Sequence, residues 1–180
     1  MDDVFMFSEI EYLFRIVLSA FCGALIGLER EKRAKSAGIR THVLVAISSA
    51  LMMVVSKYGF FDVIPISGIS LDASRIAAGV VSAIGFLGAG VIFVRKENTV
   101  GLTTSAGLWA TVGMGIAVGA GLYFTGIMFT LLILLIQMIL HSHLNRTNAL
   151  LVARVSLLLE EKDVTLPMIT KKLDECGLSV

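Results

Sequence analysis

Charge is what this 180-residue chain lacks over much of its length. From Thr99 to Leu140 there are 42 consecutive residues without Asp, Glu, Lys or Arg. In helical form that run would be about 60 Å long, roughly twice the hydrocarbon thickness of a bilayer. It therefore has to cross a membrane twice, which excludes an ordinary soluble domain. Composition agrees: 56% of residues are hydrophobic, 16% are charged, and the mean hydropathy is +0.87. Cysteine is also scarce. Cys22 and Cys176 are far apart and give no disulfide framework or metal-ligand spacing, so both read as small packing residues. The first residues, MDDVFMFSEIEY, are acidic where a signal peptide is basic, and no cleavage signature follows; a cleaved leader is not expected.

Catalytic signatures are missing as well. There is no Walker loop, no HExxH and no nucleophile elbow. The expectation is a protein that is not an enzyme, has no cofactor and has no nucleic-acid partner. The last three apolar runs hold no ionisable side chain at membrane depth. A dedicated Mg²⁺ pore would be expected to present oxygen ligands, carboxylates included, because that ion sheds water reluctantly. Hydroxyls and carbonyls could substitute, and the spacing names no metal-ligand set.

What is present is a succession of five apolar runs, so the fold class is an all-α polytopic membrane protein. The runs cover residues 9–28, 39–56, 76–94, 102–120 and 122–140, within a helical bundle over residues 1–145. The Gly-rich stretch Gly119–Gly126 reads as a tight hairpin between the last two. Basic residues alternate between the connecting segments. The N-terminal tail has none, and the first loop concentrates Arg30, Lys32, Arg33, Lys35 and Arg40. The positive-inside rule then puts the N-terminus outside and the C-terminus in the cytoplasm. Glycines at helix-packing spacing, Gly23 with Gly27 and Gly115 with Gly119, fit either a compact bundle or a homo-oligomer seam.

After His141 the sequence becomes polar. An alternating run from Val152 to Leu159 reads as a strand, and a helix then starts near Pro167 and stops at Gly177. Residues 146–180 thus look like a partial cytoplasmic β-α-β segment that breaks off at its second strand.

Three sets of polar residues are candidates for function. Glu29, Arg30, Arg33 and Arg40 lie in the basic loop; they can be topology determinants and lipid anchors, or an anion- or partner-binding site. Arg30 and Arg33 share a face if the first helix continues past the membrane. Asp72, Ser74 and Arg75 precede the third run and can form either a helix cap or an external carboxylate for a hydrated cation. Glu11 and Arg15 are an i, i+4 pair inside the first run, a functional pair or two chains snorkelling to the interface. Thr103, Thr104 and Ser105 read as hydroxyls satisfying backbone or neighbouring helices, and Trp109 as a packing residue. His42, His141 and His143 stand at membrane boundaries without other metal ligands nearby.

Three blocks taken together resemble one family. They are GALIGLEREKRAKSAGIRTHVLVAISSAL, DASRIAAGVVSAIGFLGAGVIF and GLTTSAGLWATVGMGIAVGAGLY, spread over about Phe21 to Tyr123. In order and spacing they resemble the MgtC/SapB family of bacterial inner-membrane proteins. The resemblance implies a multi-pass inner-membrane location, a role in Mg²⁺ homeostasis and, for some members, virulence. It implies a regulatory action on other membrane machinery such as the ATP synthase, with Mg²⁺ or other cation transport as the alternative. The family's charged motif falls on Glu29, Arg30, Arg33, Arg40 and Thr41, and its D-x-S-R motif on Asp72, Ser74 and Arg75. It also implies that the tail from Leu150 begins an ACT-like domain.

Overall fold

A computed structural model describes residues 2–60, 62, 70–95 and 98–144. The partial β-α-β segment and ACT-like start expected over residues 146–180, with Cys176, lie outside the described residues. Among the described residues there are five helices: α1 (Asp2–Lys32), α2 (Ile39–Tyr58), α3 (Ser74–Val91), α4 (Leu102–Gly119) and α5 (Tyr123–Leu144). Each contains a segment long and apolar enough to cross a membrane. Connected head to tail, they define two ends of a bundle. At the loop end α1 and α3 finish while α2 and α4 begin; at the tyrosine end α2 and α4 finish near Tyr58 and Tyr123.

α2 is the centre of the packing, pressed against α1 on one side and α4 on the other. Lipid tails give apolar helices no hydrophobic reason to associate, so close backbone approach has to do it. The glycine pairs supply that approach within the chain. A Cβ on Gly27 would come within 2.5 Å of the Ile39 Cα, and one on Gly23 within 2.8 Å of the His42 carbonyl. On α4, a Cβ on Gly115 would sit 2.7 Å from the Ala46 carbonyl and one on Gly119 2.9 Å from the Ala50 Cα. Cys22, Ile26, Ala46, Met114 and Val118 fill the core between these seams, with Phe129 and Ile133 of α5 packed on it. Outward surfaces are apolar too, as a bilayer demands: Phe86 is 83% exposed. Trp109, read as a packing residue, is more than half exposed and does not belong to the core of this bundle.

Two helices end in the same hydrogen-bond pattern. At α1 the Lys35 amide donates to the Arg30 carbonyl (3.1 Å) and the Ala34 amide to the Glu31 carbonyl (3.0 Å). At α4 the Leu122 amide donates to Ala117 (2.9 Å) and the Gly121 amide to Val118 (3.0 Å). These are Schellman closures, which need a left-handed residue. Gly121 supplies it at φ 91°, whereas α1 uses Ala34 at φ 52°.

The bounds of α1 and α3 differ from those read in the sequence. α1 continues four residues past Leu28, because the closing turn at Ala34 holds the charged stretch in helix. α3 stops at Val91 rather than Val94. The β-branched run that follows pairs Phe93–Arg95 (β1) with Asn98–Val100 (β2) as an antiparallel ribbon, Val94 opposite Thr99. Gly101, at φ 97°, then turns the chain into α4, where a Cβ would overlap the Val91 carbonyl.

Candidate functional site at the loop end

Extension of α1 to Lys32 carries Glu29, Arg30 and Arg33 into the bundle's loop end rather than into a free loop. Glu29 and Arg33, one turn apart, form an ion pair in which both side chains are largely buried. Arg30 turns inward and is only 5% exposed. Its Nη2 donates to Thr104 Oγ1 on α4 (2.9 Å), which also contacts the Ser36 hydroxyl at 3.2 Å. The remaining members of the expected set stay apart. Arg40 and Thr41 are exposed at the start of α2, as are Lys32 and Lys35 beside them.

Beneath Arg30 lies His42, fully buried on α2. Its Nδ1 is 2.8 Å from Thr111 Oγ1, whose proton is directed to the Gly107 carbonyl at 2.9 Å. A hydroxyl has one proton, so Thr111 accepts from His42 and the network assigns the imidazole proton to Nδ1. Nε2 is left as a lone pair. Gly107 adjoins this arrangement: a Cβ there would stand 3.7 Å from His42 Cε1 and 4.0 Å from Arg30 Nε, ordinary contact distances. Two side chains from α1 and α2 therefore flank one bare position on α4.

Hydrogen bonding at this layer is incomplete. Glu29 Oε2, Arg30 Nε, Arg33 Nη1, His42 Nε2 and, on α5, Gln137 Oε1 are buried without a hydrogen-bond partner. Buried polar atoms are nearly always paired, so such a concentration needs a reason. Ile133 packs on the Cys22–Ile26 core, so the next turn of α5 brings Gln137 toward the level of Glu29 and Arg30.

The tyrosine end is built differently. Arg15, also 5% exposed, does not snorkel outward. Its guanidinium donates to Tyr123 Oη (3.1 Å), Tyr58 Oη (3.0 Å) and the Gly119 carbonyl (3.0 Å), and it pairs with Glu11. Tyr123 donates in turn to Glu11 at 3.0 Å. The rings of Tyr12, Tyr58 and Tyr123 surround the guanidinium, with centroids 5.0–5.8 Å away. Lys57 donates to the Ala120 carbonyl (2.9 Å), so two cations cover the carbonyl-bearing end of α4.

Asp72 is an exposed turn residue before α3. Its Oδ1 accepts from the Ser74 amide (3.0 Å) and hydroxyl (2.6 Å), while Arg75 stands 4.0 Å from Oδ2. Those hydrogen bonds hold its carboxyl below the ordinary value of 3.8. Among the described residues no group of three or more His, Cys, Asp or Glu could hold a metal ion.

Sequence reasoning missed His42, Ser36, Gly107 and Thr111 as parts of one layer with Arg30. The available signal was the i, i+4 spacing of Gly107 and Thr111 on the side of α4 that also carries Thr104.

The chain matches the model of the MgtC family over residues 16–146. It is 49% identical over 131 residues to the Escherichia coli (strain K12) protein named "Putative magnesium transporter YhiD", covering 73% of this chain and 61% of that relative. It is 39% identical over 127 residues to protein SapB of Bacillus subtilis (strain 168), covering 68% and 54% of the two chains. With protein MgtC of Salmonella paratyphi A it shares 36% identity over 167 residues, 93% of this chain and 67% of that one. This chain thus spans about three-fifths of the first relative's length. No solved structure matches it.

Proposed function

This chain belongs to the MgtC family, and from that premise we propose that it is a non-enzymatic regulator of Mg²⁺ adaptation in the bacterial inner membrane. It acts through its loop end on other membrane machinery, the ATP synthase being the partner the family suggests. Basic loops alternating with acidic or neutral ones support a cytoplasmic position for that end. The observation that carries the reading is the incompletely bonded polar layer around Arg30. Stability alone would favour apolar residues there, since replacing a buried ionic group with a packed hydrophobe is commonly neutral or stabilising.

Transport of Mg²⁺ is the second reading, favoured by the name of the 49% identical relative. A pocket on the side of the bundle gives it no support in a single chain. A lateral pocket of about 270 Å³ between α2, α3 and α4 is lined by Leu44, Met52, Val80, Ile84, Leu87 and Val112, with the hydroxyls of Ser48 and Ser49 as its polar groups. That lining offers nothing to replace the water of a small divalent ion.

Purified chain in liposomes with an internal Mg²⁺ indicator tests the two directly. The regulatory reading expects influx equal to protein-free vesicles, together with growth in low Mg²⁺ that depends on Arg30. Saturable influx that survives loss of Arg30 contradicts it.

A further inference from the structure

We infer that the layer formed by Arg30, Arg33, Glu29 and His42 is a binding site for a protonated oxyanion of the phosphate-monoester class. The inference rests on reading the loop end as the working end of the protein. Its substance is the kind of atoms left without partners. Arg30 Nε and Arg33 Nη1 are donors on groups that do not deprotonate, and both are buried. Glu29 Oε2 and His42 Nε2 are buried acceptors at the same end of α1 and α2. Gly107 stands beside both Arg30 and His42, and a Cβ there would reach each at an ordinary contact distance.

The mixture of donors and acceptors selects the ligand. Two arginines against one carboxylate leave a net positive charge, which repels Mg²⁺ and attracts an anion. Chloride, a carboxylate or sulfate would satisfy the arginines but has no proton for Glu29 or His42. Phosphate, or a phosphomonoester headgroup, carries both kinds of group near neutral pH. Its anionic oxygens accept from Arg30 Nε–H and Arg33 Nη1–H, while its P–OH donates to Glu29 Oε2 or His42 Nε2. A water molecule could bridge one donor to one acceptor but would leave the charge unbalanced. Lys32, Lys35 and Arg40, exposed at the same end of the bundle, would draw such an anion in from solution or from the membrane surface. The Thr104 hydroxyl, which accepts from Arg30 Nη2 and contacts Ser36, fixes the guanidinium while Nε keeps no protein partner.

The full chain, labelled with ¹⁵N-arginine and placed in phosphatidylcholine nanodiscs, provides the test. Inorganic phosphate is titrated against the Arg Nε–H resonances, with sulfate as the control anion, and a second set of discs contains phosphatidic acid. The expected result is a saturable downfield shift of the Arg30 Nε–H signal and an affinity for sulfate at least about tenfold weaker. Tenfold is what one charge-assisted hydrogen bond is worth. Response to free phosphate identifies a soluble ligand, and response only in the phosphatidic acid discs identifies a headgroup; either supports the site. No shift of Arg30 in either setting overturns it, as does an equal response to sulfate, which reports only surface attraction to the lysines. Arg30→Lys, which keeps the charge and loses Nε–H, should abolish saturable binding; Arg33→Lys serves where the first variant melts below the assay temperature. A silent Arg30 with no Mg²⁺ influx in liposomes removes the oxyanion site and leaves the regulatory reading standing. A responsive Arg30 with robust influx does the reverse.

Discussion

Arg15 and Arg30 lie fifteen positions apart on one helix and are equally buried, yet they live in opposite surroundings. Arg15 has every guanidinium nitrogen engaged: Tyr123 at Nε, Tyr58 and Gly119 at Nη1, Glu11 at Nη2, with tyrosine rings around it. Arg30 reaches one hydroxyl and keeps a buried N–H without a partner. Burial alone thus says little about what an arginine does. A complete shell marks a residue that ties helices together, here α1 to α2, α4 and the start of α5. An incomplete shell marks a group held ready for something else, at a cost in stability.

The comparison is broken most severely by removing Arg15. Arg15→Met removes the four hydrogen bonds through which Arg15 reaches Glu11, Tyr58, Gly119 and Tyr123, leaving Tyr123 on Glu11 and Lys57 at the end of α4. It should destabilise the bundle by about 3 kcal/mol, measured by unfolding in mixed micelles. A mutation in the seam between α2 and α4 comes next. Gly119→Ala drives a methyl into the Ala50 backbone and should cost about 2 kcal/mol by the same assay. Smaller and opposite in sign is Ala34→Gly at the loop end. It relieves a left-handed alanine and should stabilise the chain by about 0.5–1 kcal/mol, while tightening the turn that positions Arg33. The smallest effect is at Asp72. Its carboxyl is depressed in the folded state by Ser74, so its contribution is present above the unfolded value of about 3.8 and fades as pH falls through the lower folded value. Wild type should therefore lose a little more stability between pH 4 and pH 2 than Asp72→Asn does (pH limits roughly those of an ordinary carboxyl).

How much of this was legible in the sequence follows from what hydropathy measures. It reports length and depth, so the five helices and the basic loop could be read directly, Leu102 starting α4 as expected. It does not report azimuth. When a helix is apolar all round, the lipid side and the core side look alike, which is why the sequence does not show that Trp109 faces outward on α4. Arg15 was visible as half of a pair with Glu11, but its turn inward depends on Tyr58 and Tyr123, residues 43 and 108 positions away. The Arg30 layer was half legible: Glu29, Arg30 and Arg33 stood out by charge. His42 and Thr111 did not, because a His and a Thr in a long apolar run carry no pattern until α2 and α4 are brought together. The β1–β2 ribbon was hidden because a short β-branched run after a helix looks like more of that helix.

The central claim is that Arg30 is kept for function and not for stability. Arg30→Met measures it most directly, with unfolding and growth in low Mg²⁺ followed on the same variant. The account predicts that stability stays within about 1 kcal/mol of wild type or rises, because a buried orphan donor is removed along with its charge, while growth in low Mg²⁺ fails. A loss of stability as large as that of Arg15→Met, or normal growth in low Mg²⁺, would contradict it.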